Sequence, residues 1–430
     1  MQPSAQAAHA AHAAQPAAHT FTSANPHALA AILEASETKR IIAATDIFDL
    51  AGTKLWARDQ PVSASLQRKL LDRQLRQPLE SCLVVEDGVT SQTLVQALRN
   101  LVDADSPLGT LLRPHGARLM REAAHLPLHP VACLLLTAAQ KARPTTYEHA
   151  MAAMALNGAL MAGHGGDTPE IRLAMLCGLL HDIGEMYIDP RHGEFEADRE
   201  LDFTSYQQLV VHPHVGQLLL TQLTNYPGAV SRAVAEHHER LDGSGYPHAR
   251  HGDSLSPQGR LLAVTEGVLG ALRSPFDHLL HASVALRAVP GEFDLHWVGQ
   301  ISQAACAQPP RQAVMEPADI QARLTALGQV LAQAEAHVAQ HTAQATLPAL
   351  QGALGLATFL LTRLRTGWNE SGLWNPQALV SADAAEVEAL EDELYFRLRG
   401  VQRATLLLAG QLPAPEAASL GELCDSLAMG

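Results

Sequence analysis

Across the middle of this 430-residue chain stand His149, His181, Asp182, His212, His237, His238 and Glu266. Imidazole nitrogens and carboxylate oxygens suit iron, manganese or zinc, and a set without thiolates argues against a structural zinc site. The set holds more donors than one ion needs and suits two, with a carboxylate such as Asp182 able to bridge them. Two metals a few ångströms apart lower the pKa of a water between them and hold phosphate oxygens for in-line attack. Two divalent transition metals are therefore expected.

Successive members of the set lie roughly 25 to 32 residues apart, about one helical hairpin per step, so several helices can aim them at one pocket. His181-Asp182 follows the apolar run Ile171–Leu180. A polar dyad at the end of a buried helix is costly unless something compensates it, and a metal does. Taken alone, a His-Asp pair is more often a structural hydrogen bond. His237-His238 alone reads equally well as cationic groups at a helix C-terminus. With His149 and His212 added, the metal reading wins.

The elements around this set are helical. Ala and Leu dominate and aromatics make up only 4%, so the fold is expected to be mainly α: an all-helical core, a small α+β N-terminal domain and a C-terminal helical bundle. The expected divisions are a disordered tail over 1–26, a mixed regulatory domain over 27–126, a metal domain over 130–308 and a helical domain over 315–430. In the second, Arg40–Ala44 and Lys54–Ala57 flank Asp49–Gly52 as a hairpin, Ser63–Leu75 has helical spacing, and Cys82–Val85 reads as a strand. In the last, Ala318–Ala345, Ala349–Trp368 and Ala384–Ala409 have apolar residues at three- and four-residue spacing, as for packed helices or a homodimer interface.

The formal net charge is −14, with no basic stripe, which disfavours nucleic acid and anionic membrane as partners. No apolar run is long enough for a membrane span. The scattered cysteines Cys82, Cys133, Cys177, Cys306 and Cys424 show no C-x-x-C spacing and read as reduced thiols of a cytoplasmic protein. The first twenty residues lack the features of a signal peptide.

"LLHDIGEMYIDP" (Leu179–Pro190), "HPHVG" (His212–Gly216) and "HHERLDGSGYP" (His237–Pro247) resemble the HD-GYP family of the HD phosphohydrolase superfamily. The resemblance runs from about Pro144 to Val298. It implies an all-helical core with two or three metals, usually iron or manganese with zinc or nickel as alternatives, and phosphodiesterase activity on cyclic di-nucleotides, especially cyclic di-GMP. By position, it makes His149, His181, Asp182, His212, His237 and His238 metal ligands, with Asp182 at the catalytic centre. Glu266, in "AVTEG", stands where the family has an aspartate ligand. Asp242, Gly243, Gly245, Tyr246 and Pro247 form the signature loop. That loop is at once a rigid turn and a candidate for contact with ligand or with signalling partners.

Several positions depart from the family. Its "HDIGK" lysine is Glu185, a carboxylate that repels phosphate where an ammonium attracts it. Glu185 either approaches a metal, if the helix continues beyond His181, or is an exposed residue at a helix end. The aspartate that follows the last ligand in the family is lost in "GVLGAL" (Gly267–Leu272). The family's basic phosphate contact is displaced, with Arg273 or Arg287 as stand-ins. Thr145 replaces a glutamate found in three-metal members, so two metals at most are expected. These changes leave two readings open: a cyclic di-nucleotide phosphodiesterase, impaired to some degree, or a degenerate module that binds ligand or partners without turnover. A phosphohydrolase acting on mononucleotides ranks third, since it does not predict the signature loop.

Overall fold

The computed structural model describes residues 21–192, 203–272, 278–373, 383–409 and 412–427. The fold is mainly α, with two small two-stranded sheets near the N-terminus. Residues 1–20 of the expected tail and Arg273 lie outside the described residues. Residues 21–26 do not continue a tail: Phe21 is buried and meets Tyr187 edge-on at 5.6 Å, and Asn25 caps the helix Pro26–Ser36 by accepting from the His27 and Ala28 amides.

The expected hairpin forms one strand over. Strand β1 (Ile41–Ala43) pairs antiparallel with β4 (Leu83–Val85), while β2 (Ile47–Phe48) pairs with β3 (Lys54–Trp56). The reason lies in the turn. Asp49 donates its amide to Thr53 O and accepts the Thr53 amide on its side chain, while Gly52 sits at φ 89°. A turn that tight returns the chain beside the residues immediately preceding it, which leaves Ile41–Ala43 for a distant partner. The helix expected over Ser63–Leu75 spans only Ala64–Leu70, because Leu71 turns extended.

The central helices are Pro130–Ala142, Pro144–Gly163, Thr168–Leu180, Phe203–Leu223, Gly228–Glu236, Pro257–Leu272, Leu279–Ala285 and Leu295–Cys306. One continuous apolar cluster runs from Phe21 through Ile301. No break in the core therefore falls at the boundary expected near residues 126–130: Leu94, Leu98 and Leu119 bury in the same cluster as Leu134 and Met154. The helices Pro317–Gln344, Pro348–Ser371, Ala384–Ala409 and Ala414–Leu427 bury a second cluster of their own, with Leu327, Leu331, Leu361 and Leu394 among its members. Among the described residues, no helix is long and apolar enough to cross a membrane.

Two close approaches set the frame for the central polar residues. A Cβ at Gly178 would collide with the Ala153 carbonyl, so the helices Pro144–Gly163 and Thr168–Leu180 touch backbone to backbone. A Cβ at Gly184 would collide with the His212 carbonyl, so the turn after the His-Asp dyad presses on the helix Phe203–Leu223.

Candidate metal centre

The helix Thr168–Leu180 starts at a capping box between Asp167 and Glu170, runs apolar and buried, and ends with His181 at its C-cap. Asp182 then begins a 3₁₀ turn, Ile183–Tyr187. His149 lies in the second turn of Pro144–Gly163, His212 in the middle of Phe203–Leu223, and Glu266 in Pro257–Leu272. His237 caps the C-terminus of Gly228–Glu236, with His238 next to it. All seven side chains are buried, none more than 5% exposed.

They converge on one point. Asp182 Oδ2 lies 3.0 Å from His181 Nε2 and 3.7 Å from His149 Nε2. Its Oδ1 lies 3.3 Å from His212 Nε2 and 3.4 Å from His237 Nε2. Glu266 reaches His149 Nε2 at 3.1 Å and His181 Nε2 at 3.1 Å. Two groups emerge in which donor atoms are close enough to share an ion: Asp182, His212, His237 and His238; and His149, His181 and Asp182. Asp182 belongs to both.

The outer nitrogens fix the inner ones. The Nδ1 atoms of His181, His212 and His237 lie 2.7, 2.6 and 2.6 Å from the carbonyls of Gly178, Leu209 and Val234, each three residues back in its own helix. A carbonyl only accepts, so each Nδ1 carries a proton, and each ring in its neutral form presents a bare Nε2 lone pair inward. His212 Nε2 and His237 Nε2 then face each other at 3.0 Å. His181 Nε2 and both Asp182 oxygens are buried without a well-directed hydrogen bond. Lone pairs turned on lone pairs in a sealed pocket repel unless protons or cations lie between them, and this donor set fits divalent transition metals.

Titration behaviour in the metal-free site agrees. Burial opposes charge on His181, but Asp182 and Glu266 outweigh it and hold the ring up at about 10. Burial pushes His237 down to about 4, with the neighbouring imidazoles adding to the effect. Burial also depresses His238, with His237 next. Burial works against ionised Asp182 and Glu266, yet facing histidines keep both well below the usual carboxylate range.

The signature loop folds back onto this cluster. Asp242 Oδ1 accepts from the Ser244 amide and hydroxyl at 3.0 and 2.6 Å, and Gly243 takes φ 84°. A Cβ at Gly245 would collide with the His238 carbonyl, which also accepts the Tyr246 amide at 3.1 Å. The Tyr246 ring stacks on His238 with centroids 4.6 Å apart. Pro247 follows through a cis peptide.

Glu185 is neither exposed nor part of either ligand group. The α-helix stops before it, and the 3₁₀ turn directs its side chain into the interior, where Thr146 Oγ1 donates to it at 3.0 Å. Arg287, a stand-in for the phosphate contact, instead meets Glu386 at 3.5 Å. Other supports carry no motif. Arg143 donates to the carbonyls of Glu185 and Ile188, pinning the turn. Asn157 donates to Ala174 O and accepts from Thr265, tying three site helices together. Glu239 accepts the His248 and Arg250 amides at 2.8 and 2.9 Å and shapes the loop's exit. A polar residue inside an otherwise apolar helix, as Asn157 is, was the one sequence signal for these.

Comparison with known proteins agrees with this geometry. A family model described as "HD domain" matches residues 135–283. A cyclic di-GMP phosphodiesterase of Pseudomonas aeruginosa is 28% identical over 248 residues, 57% of this chain and 56% of that protein. The cyclic di-GMP phosphodiesterase response regulator RpfG of Xanthomonas campestris pv. campestris is 32% identical over 110 residues, 24% of this chain and 27% of its own. A 3'3'-cGAMP-specific phosphodiesterase of Vibrio cholerae is 28% identical over 88 residues, 20% of this chain and 18% of its own. The chain thus spans about half the length, or less, of these relatives. No solved structure matches it. Residues 135–283, which hold every member of the buried His/Asp/Glu cluster, belong to the HD domain family.

Proposed function

We propose that the chain is a metal-dependent phosphodiesterase of the HD-GYP type that opens cyclic di-nucleotides, with cyclic di-GMP as the first substrate and 3'3'-cGAMP as the second. The observation that carries this reading is the position of Asp182, shared by two buried ligand groups. Iron or manganese is the expected occupant of both. Divalent ions there supply Lewis-acid activation of water and of phosphate. The protein's own part is positional: three imidazoles fixed by backbone carbonyls, a carboxylate aimed at both groups, and a pocket that excludes bulk water. Tyr246, stacked on His238 at the pocket's edge, is the proposed contact for a nucleobase, with Asp242–Pro247 shaping its approach.

The near-complete burial of the cluster, and the carboxylate of Glu185 at the family's lysine position, favour a second reading. In it the metal centre holds the fold, and the signature loop docks signalling proteins or a second copy of the chain. One experiment separates the two. Protein loaded with Mn²⁺ or Fe²⁺ is incubated with each cyclic di-nucleotide, alongside the His181→Ala/Asp182→Ala double variant. Linear product from the unmodified chain alone supports the enzyme. Retained metal with no turnover supports the second reading.

A further inference from the structure

Arg363 lies outside the HD domain, in the helix Pro348–Ser371, yet its Nε donates to Asp242 Oδ2 at 2.9 Å. Its Nη2 also donates to the Pro290 carbonyl. Four residues further along, a Cβ at Gly367 would collide with the Ala288 carbonyl, so this helix is seated in one register against the segment 288–290. A second arginine, Arg397 on the helix Ala384–Ala409, pairs with Glu292, which Arg240 also approaches at 3.4 Å. The Leu241 amide closes on Glu292 O at 2.9 Å. Two C-terminal helices thus hold Asp242 at the start of the signature loop and the segment 288–292 on which Arg240 and Leu241 rest.

An exposed ion pair is worth little. This one is different in placement, because the Asp242 side chain is only 7% exposed and both of its oxygens are engaged. Asp242 Oδ1 closes the turn through Ser244. That turn presents Gly245 and Tyr246 to the His238 carbonyl and the Tyr246 ring to the His238 imidazole. The path from Arg363 to His238 runs through hydrogen bonds, the close approach of Gly245 to the His238 carbonyl and a stacked ring.

We propose that Arg363 is a positioning residue for the metal centre: by holding Asp242, it lets the C-terminal helices set the placement of the Asp242–Pro247 loop and, through it, of His237 and His238. The inference rests on the metal-centre reading above and adds regulation to it. Anything that shifts the helix Pro348–Ser371 alters metal retention by the group of Asp182, His212, His237 and His238.

The test uses the full chain, Arg363→Ala and Arg363→Gln. Amide hydrogen exchange is followed by mass spectrometry, and Mn²⁺ affinity is measured by calorimetry after chelator treatment. Arg363→Ala is expected to speed exchange in 241–251 roughly tenfold, with little change elsewhere beyond 288–293, and to weaken Mn²⁺ binding roughly three- to tenfold. Arg363→Gln, whose amide stands where the Arg Nε donates to Asp242 Oδ2 but which loses the charge and the reach to Pro290 O, is expected to fall between. Unchanged exchange in 241–251, a uniform rise over the whole chain, or a looser loop with unchanged Mn²⁺ affinity would each overturn the proposal. Failure of the unmodified chain to bind Mn²⁺ overturns the metal-centre reading itself, and that control alone identifies it.

Discussion

His212 and His237 point their Nε2 atoms at each other across 3.0 Å, while the far side of each ring is tied to a carbonyl of its own helix. Neither ring can turn away without giving up that outer bond. The pair is therefore preorganised for a shared cation, with Asp182 completing the approach from one side and serving His149 and His181 on the other.

This asymmetry predicts unequal losses of metal. His149→Ala removes a ligand from one group only and is expected to leave about one ion per chain, whereas Asp182→Ala removes the shared carboxylate and is expected to leave well under one. Elemental analysis of the purified variants measures both. Equal metal content in the two variants would count against the shared role of Asp182.

Acid–base behaviour gives a second prediction. In the metal-free protein His181 is held at about 10 against an ordinary value of 6.5. Its ring is charged at neutral pH and must lose a proton to accept a metal. Metal affinity should therefore rise with pH up to about 10, with proton release visible as a buffer-dependent heat. The stability of the metal-free protein follows the same shifts. The contribution of His181 is fully present below 6.5 and is lost as pH rises through about 10. His237, depressed to about 4, acts oppositely: stability falls as pH drops from 6.5 through about 4. Thermal melts of metal-free protein should show a maximum near 6.5, and His181→Gln should flatten the alkaline arm.

Gly184→Ala is expected to harm both stability and metal uptake. The new methyl would strike the His212 carbonyl and approach the Gly216 amide at 2.7 Å, all backbone with no side chain to swing aside. Overpacking of this kind costs about 1–3 kcal/mol. Here the displaced backbone belongs to His212 itself. Urea unfolding and Mn²⁺ titration of the variant give the two numbers.

Asn157→Ala tests the scaffold without touching a ligand. Asn157 is fully buried, donates to Ala174 O at 2.9 Å and accepts from Thr265 Oγ1 at 2.7 Å. Its loss removes the partner of the Thr265 hydroxyl in the core and a second donor to Ala174 O, at about 1–3 kcal/mol. Thr265 neighbours Glu266, so metal affinity should weaken with stability. Denaturant midpoints and metal titrations of the variant report both effects.

Much of the site was legible because its residues occupy positions that helices make visible. His181 follows an apolar run, His237-His238 precede a glycine-rich turn, and both of these pairs sit at a helix end where periodicity stops. Contacts that depend on distant partners were not legible. Glu185 stayed open between a metal neighbour and an exposed helix end because nothing in the sequence says that the helix gives way to a 3₁₀ turn and drives that side chain inward toward Thr146. Ile41–Ala43 has the same local appeal as Lys54–Trp56, yet its partner lies some forty residues on, at Leu83–Val85. Arg363 sits in a helix whose pattern reports only its apolar face. Its reach to Asp242 spans 121 positions.

The apolar cluster that joins Phe21 to Ile301 bears on how this protein could be divided or recombined. A fusion carrying residues 130–308 alone would inherit only part of a shared interior, leaving core residues such as Leu134, Leu135 and Met154 without their N-terminal share of the cluster. From Phe21 on, the N-terminal elements and the helices that carry the His/Asp/Glu cluster share one buried interior, so moving those helices alone would leave that interior uncovered.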